Sequence, residues 1–222
     1  QPLKKLSVGL QWLATRSGIG ASHIWEMGGF VFGNDQVTHP NLQYHFTPVY
    51  SEWRNRKIHL EQGYVLTCDH LRPKSRGEIK LRSADPTDRP ASHFNYLSHP
   101  DDTKEMIEGL NVMQDLLTQP AFDEFRGERI YPAPQLQSHS ELEAWVRAYS
   151  STDYHPSGTC RMGQDELAVV DEELRVRGID QLRVVDASIM PDIVSGNLNA
   201  PTQMIGERAA DYILGNPQLP PE

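Results

Sequence analysis

The sequence predicts an α+β fold, with an antiparallel sheet backed by helices over residues 1–150 and a strand–loop–helix unit closing the chain within 151–222. Three observations carry this. Short stretches with two-residue alternation, "NLQYHFTPVY" (41–50), "GYVLTCDHL" (63–71) and "GEIKLRS" (77–83), sit together in the first part. Helical repeats at 98–120 and 138–150 follow the strands instead of alternating with them. Beyond residue 178 the pattern changes to a short apolar run, a loop rich in Gly and Asn, and a last helical repeat.

Taken in order, "SVGLQWLATRSGIGASH" (7–23) reads as a short helix broken by Gly18 and Gly20. Leu42, Tyr44 and Phe46 alternate with Gln43, His45 and Thr47, the period of a half-buried strand. Residues 63–71 and 77–83 read the same way, with Ile79 and Leu81 on one face and "PKSRG" (73–77) as the turn between them. The helix at 98–120 has Ser98 as its cap, Asp101 completing a capping box, and Pro100 in the first turn. Its apolar stripe is Met106, Leu110, Met113 and Leu117, and Pro120 stops it. "SHSELEAWVRAYS" (138–150) is a second helix, capped by Ser138 or Ser140. In "GIDQLRVVDASIMP" (178–191) the run 182–185 is a short buried strand ending in Asp186. After "SGNLNAPT" (195–202), the last helix starts near Pro201–Thr202, turns Ile205, Ala209 and Ile213 inward, and stops at Gly215.

Composition narrows the function. The chain has 222 residues and a formal charge of −9, which argues against nucleic acid, because phosphate binding needs a basic face. The acidity mildly favours a cationic ligand. Cys68 and Cys160 are the two cysteines and form no CxxC, so neither a zinc site nor a disulfide framework is indicated. No apolar run reaches the length of a membrane span, and "QPLKKLSVGLQWLA" is not a signal peptide. Its opening in mid-pattern suggests a fragment or a processed chain.

The chemistry concentrates in "YHPSGTCRMG" (154–163). Pro156 steers His155 away from the α region, and Gly158 permits a turn that other residues resist. Such a segment gives an imidazole a fixed direction, as a general base requires. A surface or satisfied core histidine is the competing reading. Metal binding is disfavoured: there is no HExxH and no second histidine at helical spacing. A Ser-His-Asp hydrolase is disfavoured by the lack of a G-x-S-x-G elbow. In the last unit, an acid at a strand end can meet a ribose or ribityl hydroxyl, and a helix N-terminus can stabilise an anion such as a reduced flavin. Asn197 and Asn199 add amide donors and acceptors, and a plain Asx-turn remains the alternative.

"STDYHPSGTCRMG" (151–163), "LRVRGIDQLRVVDASIMP" (174–191) and "GNLNAPTQMIGERAADYI" (196–213) resemble the C-terminal signatures of the glucose–methanol–choline (GMC) oxidoreductases. "HPNLQYHFTP" (39–48), "SRGEIKLRSADP" (75–86) and "QPAFDEFRGERIYP" (119–132) fit the same family, and the choline-oxidising branch is the most similar. The resemblance implies FAD as cofactor. It implies oxidation of choline to betaine aldehyde, and of the hydrated aldehyde to glycine betaine, by hydride transfer to flavin N5. The family's active-site histidine falls on His155, and its partner on Asn199. Asp186 and Ala187 match FAD-contacting positions, while Asn199, Pro201 and Thr202 match the loop beside the flavin ring.

A quaternary ammonium donates no N–H hydrogen bond, so its site should use aromatic faces and a carboxylate. Trp25, in "HIWEMGGF", and Tyr154 are the candidates, with Tyr50 a weaker one; core packing is the alternative for Trp25. Under the resemblance, residues 1–150 are part of a substrate domain and 151–222 complete the FAD domain. No G-x-G-x-x-G follows a strand, so the N-terminal FAD-binding part of the enzyme is the expected missing partner, and the chain alone is expected to be inactive. The resemblance also implies membrane association, at a bacterial or mitochondrial inner membrane, with a membrane quinone as a candidate electron acceptor.

Overall fold

A computed structural model of the chain describes residues 2–25, 27–54, 57–134, 136 and 138–217. The helices are α1 (Pro2–Thr15), α2 (Pro100–Leu117), α3 (His139–Tyr149) and α4 (Asn199–Leu214). The strands are β1 (Met27–Val31), β2 (Leu42–Thr47), β3 (Tyr50–Arg54), β4 (Lys57–Glu61), β5 (Val65–His70), β6 (Glu78–Lys80) and β7 (Ala91–His93). The mixed α+β class expected from the sequence holds. The chain forms two compact units, Gln1–Asp69 with Met106–Gln137, and His70–Glu105 with Ser138–Glu222.

In the first unit β2 is the central strand of a sheet ordered β1-β2-β5. β1 runs antiparallel to it, from Met27 opposite Phe46 to Val31 opposite Leu42. A central strand has neighbours along both edges and is covered on both faces. That is why Gln43 is buried along with Leu42 and Tyr44, where alternation alone predicted a half-exposed strand. The helical backing comes from α2, whose Ile107 and Leu110 are buried. Tyr44 Oη donates to the Gly109 carbonyl at 2.8 Å. A Cβ on Gly109 would lie 2.6 Å from Cys68 Sγ and 3.1 Å from Leu42 Cδ1, so only glycine lets the helix approach this closely. Burial, with the Asp69 charge adding to it, pushes the Cys68 thiol up to about 12, which makes it a packing residue and not a nucleophile. β3 and β4 form a separate antiparallel pair, Tyr50 opposite Glu61 to Arg54 opposite Lys57. α1 ends where Arg16 and Gly18 take positive φ (52° and 83°), the break expected at this glycine.

In the second unit β6 does not extend the sheet of β5, as expected, but pairs antiparallel with β7. Ile79 and Leu81 are exposed accordingly. The reason lies in residues 73–77, which are clasped to the start of α2. The buried Asp102 carboxylate accepts from the Lys74 and Ser75 amides, both at 2.8 Å, and from Ser75 Oγ. Burial alone would raise the pKa of Asp102; the hydrogen bonds from Ser75 and these amides, with His70 nearby, outweigh it and hold the pKa low. His70 Nε2 lies 3.0 Å from the Glu105 carboxylate. α2 begins at Pro100, one residue later than a Ser98 cap would start it. His99 Nδ1 accepts from the Asp101 amide (3.2 Å), while the Ser98 amide is already turned back onto Asn95. α3 has the full capping box between Ser138 and Glu141, which settles which serine caps it.

The core of this unit is Val170, Leu174, Ile189, Met190, Leu198, Ile205 and Ala209. The expected buried strand at 182–185 is not formed. Arg183 makes a single bridge to Arg175, and Leu182 and Val185 are exposed. Residues 174–184 instead fold back on themselves through Val176 N–Leu182 O (2.9 Å) and Val184 N–Leu174 O (3.1 Å), leaving no ladder long enough to be a strand. Ile213, expected inward, is exposed, because α4 has by then run past the core to its left-handed stop at Gly215 (φ 70°).

Candidate active site

The site is assembled from the 154–163 segment, the Asp186 turn and the start of α4, all within the second unit. Tyr154 takes a left-handed backbone (φ 62°) and its amide donates to Thr152 Oγ1 at 3.0 Å. Gly158 has φ 80°, the conformation its place in the sequence suggested. From there the chain is fastened to the core by alternate amides. Gly158 N donates to Ala187 O (3.3 Å), Cys160 N to Ser188 O (2.9 Å) and Met162 N to Ile189 O (2.7 Å). Ile189 and Met190 are core residues, so His155 stands three residues from a rigid attachment.

Asp186 caps the 3-10 turn Ala187–Ile189, with Oδ1 accepting from Ser188 N at 2.8 Å. The loop that follows carries the Arg76–Asp192 ion pair and reaches the buried Leu198. Burial of Leu198 seats its neighbour Asn197, whose Nδ2 lies 3.0 Å from His155 Nε2. An amide donates to a neutral imidazole or, turned over, accepts from a protonated one, so this partner suits both charge states. Asp153 is farther, at 3.9 Å from the same nitrogen, and exposed.

Asn199, the expected partner, stands elsewhere. It lies in the first turn of α4 and its Oδ1 accepts from Gln203 Nε2 at 3.1 Å. Placing the helix start at Pro201 put Asn199 in the loop; the helix in fact begins two residues earlier. Proline is tolerated throughout a first turn, since those amides lack intrahelical acceptors in any case. Both asparagines were visible in "SGNLNAPT", but only the helix boundary separates them. Pro201 and Thr202 are half-buried in the same turn. Tyr154 projects into solvent.

Trp25 and Tyr50 belong to the first unit. Tyr50 is half-buried at the head of β3. Trp25 is mostly exposed and meets the His45 ring edge to face at 5.9 Å between centroids. His45 Nε2 in turn lies 2.9 Å from Asp69 Oδ2. Neither His45 nor Asp69 was singled out from sequence, where His45 read only as an outward position of a strand. Among the described residues no helix is long and apolar enough to cross a membrane.

A constrained histidine with an amide partner, on a segment bonded to a capped turn, defines a candidate site for acid–base chemistry. Family comparison makes the class definite: residues 73–206 match the GMC oxidoreductase family, and the chain belongs to it. It is 46% identical to the oxygen-dependent choline dehydrogenase of Klebsiella pneumoniae subsp. pneumoniae, over 96% of this chain and 38% of that protein. The oxygen-dependent choline dehydrogenase of Escherichia coli O45:K1 is 44% identical over the same shares. The chain thus spans 38% of the length of these relatives. Among solved structures, formate oxidase superposes with a TM-score of 0.81 at 28% identity, covering 96% of this chain and 42% of its own. Pyridoxine 4-oxidase from Mesorbium loti does so with a TM-score of 0.74 at 25% identity, covering 86% and 38%.

Proposed function

We propose that this chain is the C-terminal part of an FAD-dependent alcohol dehydrogenase that oxidises choline to betaine aldehyde, and the hydrated aldehyde onward to glycine betaine. The carrying observation is the His155–Asn197 pair, 3.0 Å apart, in a chain 46% identical to a choline dehydrogenase. The residues present fit FAD. The first turn of α4 has no acidic residue and its N-cap, Leu198, makes no side-chain capping bond, so that end can face an anionic group. Asp186 and Ala187 would hold the cofactor, with Pro201 and Thr202 beside its ring. FAD, when bound, supplies the hydride acceptor at N5.

The chain's own residues prepare the alcohol. His155 takes the hydroxyl proton at Nε2. Asn197 hydrogen-bonds the substrate oxygen and keeps it beside the imidazole; Asn199 supports the helix turn. Tyr154, in the same unit as His155, offers an aromatic face to the trimethylammonium group. The rest of the enzyme, N-terminal to this part, supplies the pyrophosphate-binding fingerprint. For electron disposal the two candidates are a membrane quinone at a membrane surface and oxygen, on which the similar choline dehydrogenases depend.

Anaerobic mixing of the full-length flavoenzyme with a panel of primary alcohols tests the reading. Choline should bleach the flavin fastest, and betaine aldehyde should follow. Faster bleaching by an uncharged alcohol would reassign the substrate to another member of the same chemical class.

A further inference from the structure

Asn197 is carried by a loop, and contact with the core does not by itself aim it. Residues 191–197 run between Met190 and Leu198, both in the core, and Ile193 is half-buried against the same cluster. Apolar burial fixes how deep this loop sits, but it is non-directional and leaves the path along the surface open. The bond from Gly196 N to Val194 O, at 2.8 Å, joins the loop only to itself. A directional tie comes from Asp192, whose carboxylate accepts from Arg76 Nη2. The two residues are 116 positions apart in sequence and belong to the same unit. Arg76 is braced independently of Asp192. Its Nη1 donates to the Pro73 and Ser75 carbonyls at 2.7 and 3.1 Å, within the turn that carries it, and its own carbonyl accepts from Asn95 Nδ2 at 3.2 Å. Ordering two long side chains is the cost that cancels most exposed ion pairs, and here the guanidinium is ordered by its own turn.

We propose that Arg76 is a positioning residue for the reaction: through Asp192 it fixes the path of the 191–197 loop, so that the Asn197 amide stands 3.0 Å from His155 Nε2 when the substrate oxygen arrives. This rests on the reading of Asn197 as the amide that holds that oxygen. Asp192 precedes Asn197 by five residues on the same loop, so a shift at one end displaces the amide at the other, and a displacement of about 1 Å is enough to slow a positioned reaction. Both side chains of the ion pair are more than half exposed (62% and 72%), so the fold does not depend on the tie, whereas the aim of the amide does. Arg76 acts through Asn197 and not on the reacting atoms.

Stopped-flow reduction of the full-length flavoenzyme by choline is the test. Asp192→Ala should lower the limiting rate about fivefold, the most that an exposed ion pair supplies, with flavin content and the apparent affinity for choline unchanged. Arg76→Gln removes the same tie from the other side and should match it; it also carries the test should Asp192→Ala fail to load flavin. The double variant should be no slower than either single variant. The decisive measurement adds Asp192→Ala to Asn197→Ala. With the amide gone its aim no longer matters, and no further slowing is expected. A general structural role would slow both backgrounds equally, and that result overturns the proposal. Additive slowing in the double variant, or a wild-type rate in either single variant, overturns it too. A wild-type rate in Asn197→Ala removes the reading of Asn197, and the proposal with it.

Discussion

His155 and His45 show two ways of fixing an imidazole. His155 sits on irregular backbone, directed by Pro156 and a left-handed Gly158, and its ring meets the neutral amide of Asn197. His45 sits on a regular central strand, and its ring is held between a carboxylate and an indole. A carboxylate at 2.9 Å anchors the His45 ring through a charged partner. An amide anchors the His155 ring through a weaker, neutral one. The difference teaches that an imidazole can be oriented either by a partner on the neighbouring strand or by the backbone that carries it. The loop geometry at His155 compensates for that weak partner, supplying by backbone constraint what an ion pair supplies at His45.

The comparison breaks first at His155. His155→Ala in the full-length enzyme should lower kcat by a factor of about 10²–10⁴, the range for a positioned acid–base group, with flavin content maintained. Wild-type turnover in that variant would remove it from the mechanism. Next, Asn197→Ala should slow flavin reduction by about 10²–10³, while Asn199→Ala, whose side chain accepts from the exposed Gln203, should act by less than about 0.5 kcal/mol. Stopped-flow traces showing the reverse order would return the role to Asn199. Asn197→Asp sharpens the same point, because it gives His155 the kind of partner that His45 has. Flavin reduction should then slow as in Asn197→Ala, because a carboxylate has no N–H to donate to the substrate oxygen.

A third histidine cluster serves as a stability control. The carboxylate of Asp102 clasps residues 74 and 75, and Asp102→Asn should cost about 3 kcal/mol of unfolding free energy, measured by urea titration at neutral pH, with turnover per folded enzyme unchanged. Because its pKa is depressed in the folded state, this stabilisation is complete above the ordinary carboxylate value of about 4 and fades as pH falls below it. The gap between wild type and variant should therefore close in acid, and a gap that widened there would refute the assignment. A smaller effect on stability than that of Asp102→Asn is expected at Gly158. Its φ of 80° and a Met190 carbonyl 3.3 Å from any added Cβ make Gly158→Ala cost about 1–2 kcal/mol, and looser seating of His155 should appear as a lower kcat at unchanged KM.

Much of this was legible in the sequence because it depends on near neighbours. The strand period at 42–47, the Ser138–Glu141 box, the glycine stop at 215 and the constrained His155 each follow from a few consecutive residues. The family resemblance lay in contiguous signatures and was equally local. What failed was non-local. Ile79 and Leu81 looked like a buried face until β6 found β7 in place of β5, since a strand's period does not name its partner. Residues 182–185 looked like a buried strand, yet apolar side chains cannot create a ladder that no neighbouring strand supplies. Asn197 and Asn199 were indistinguishable by type, and the two-residue shift in the start of α4 leaves the first in the loop beside His155 and the second in the helix. His45 and Asp69 are 24 positions apart in sequence, and only the pairing of β2 with β5 brings them to one face. The sequence by itself determined the fold class, the family signatures and the rigid turn at His155, because backbone preference and capping act over single turns. Tertiary structure alone decided which amide meets the imidazole and which carboxylate stands behind Trp25, because side-chain partners are set by strand register and helix boundaries that no local pattern encodes.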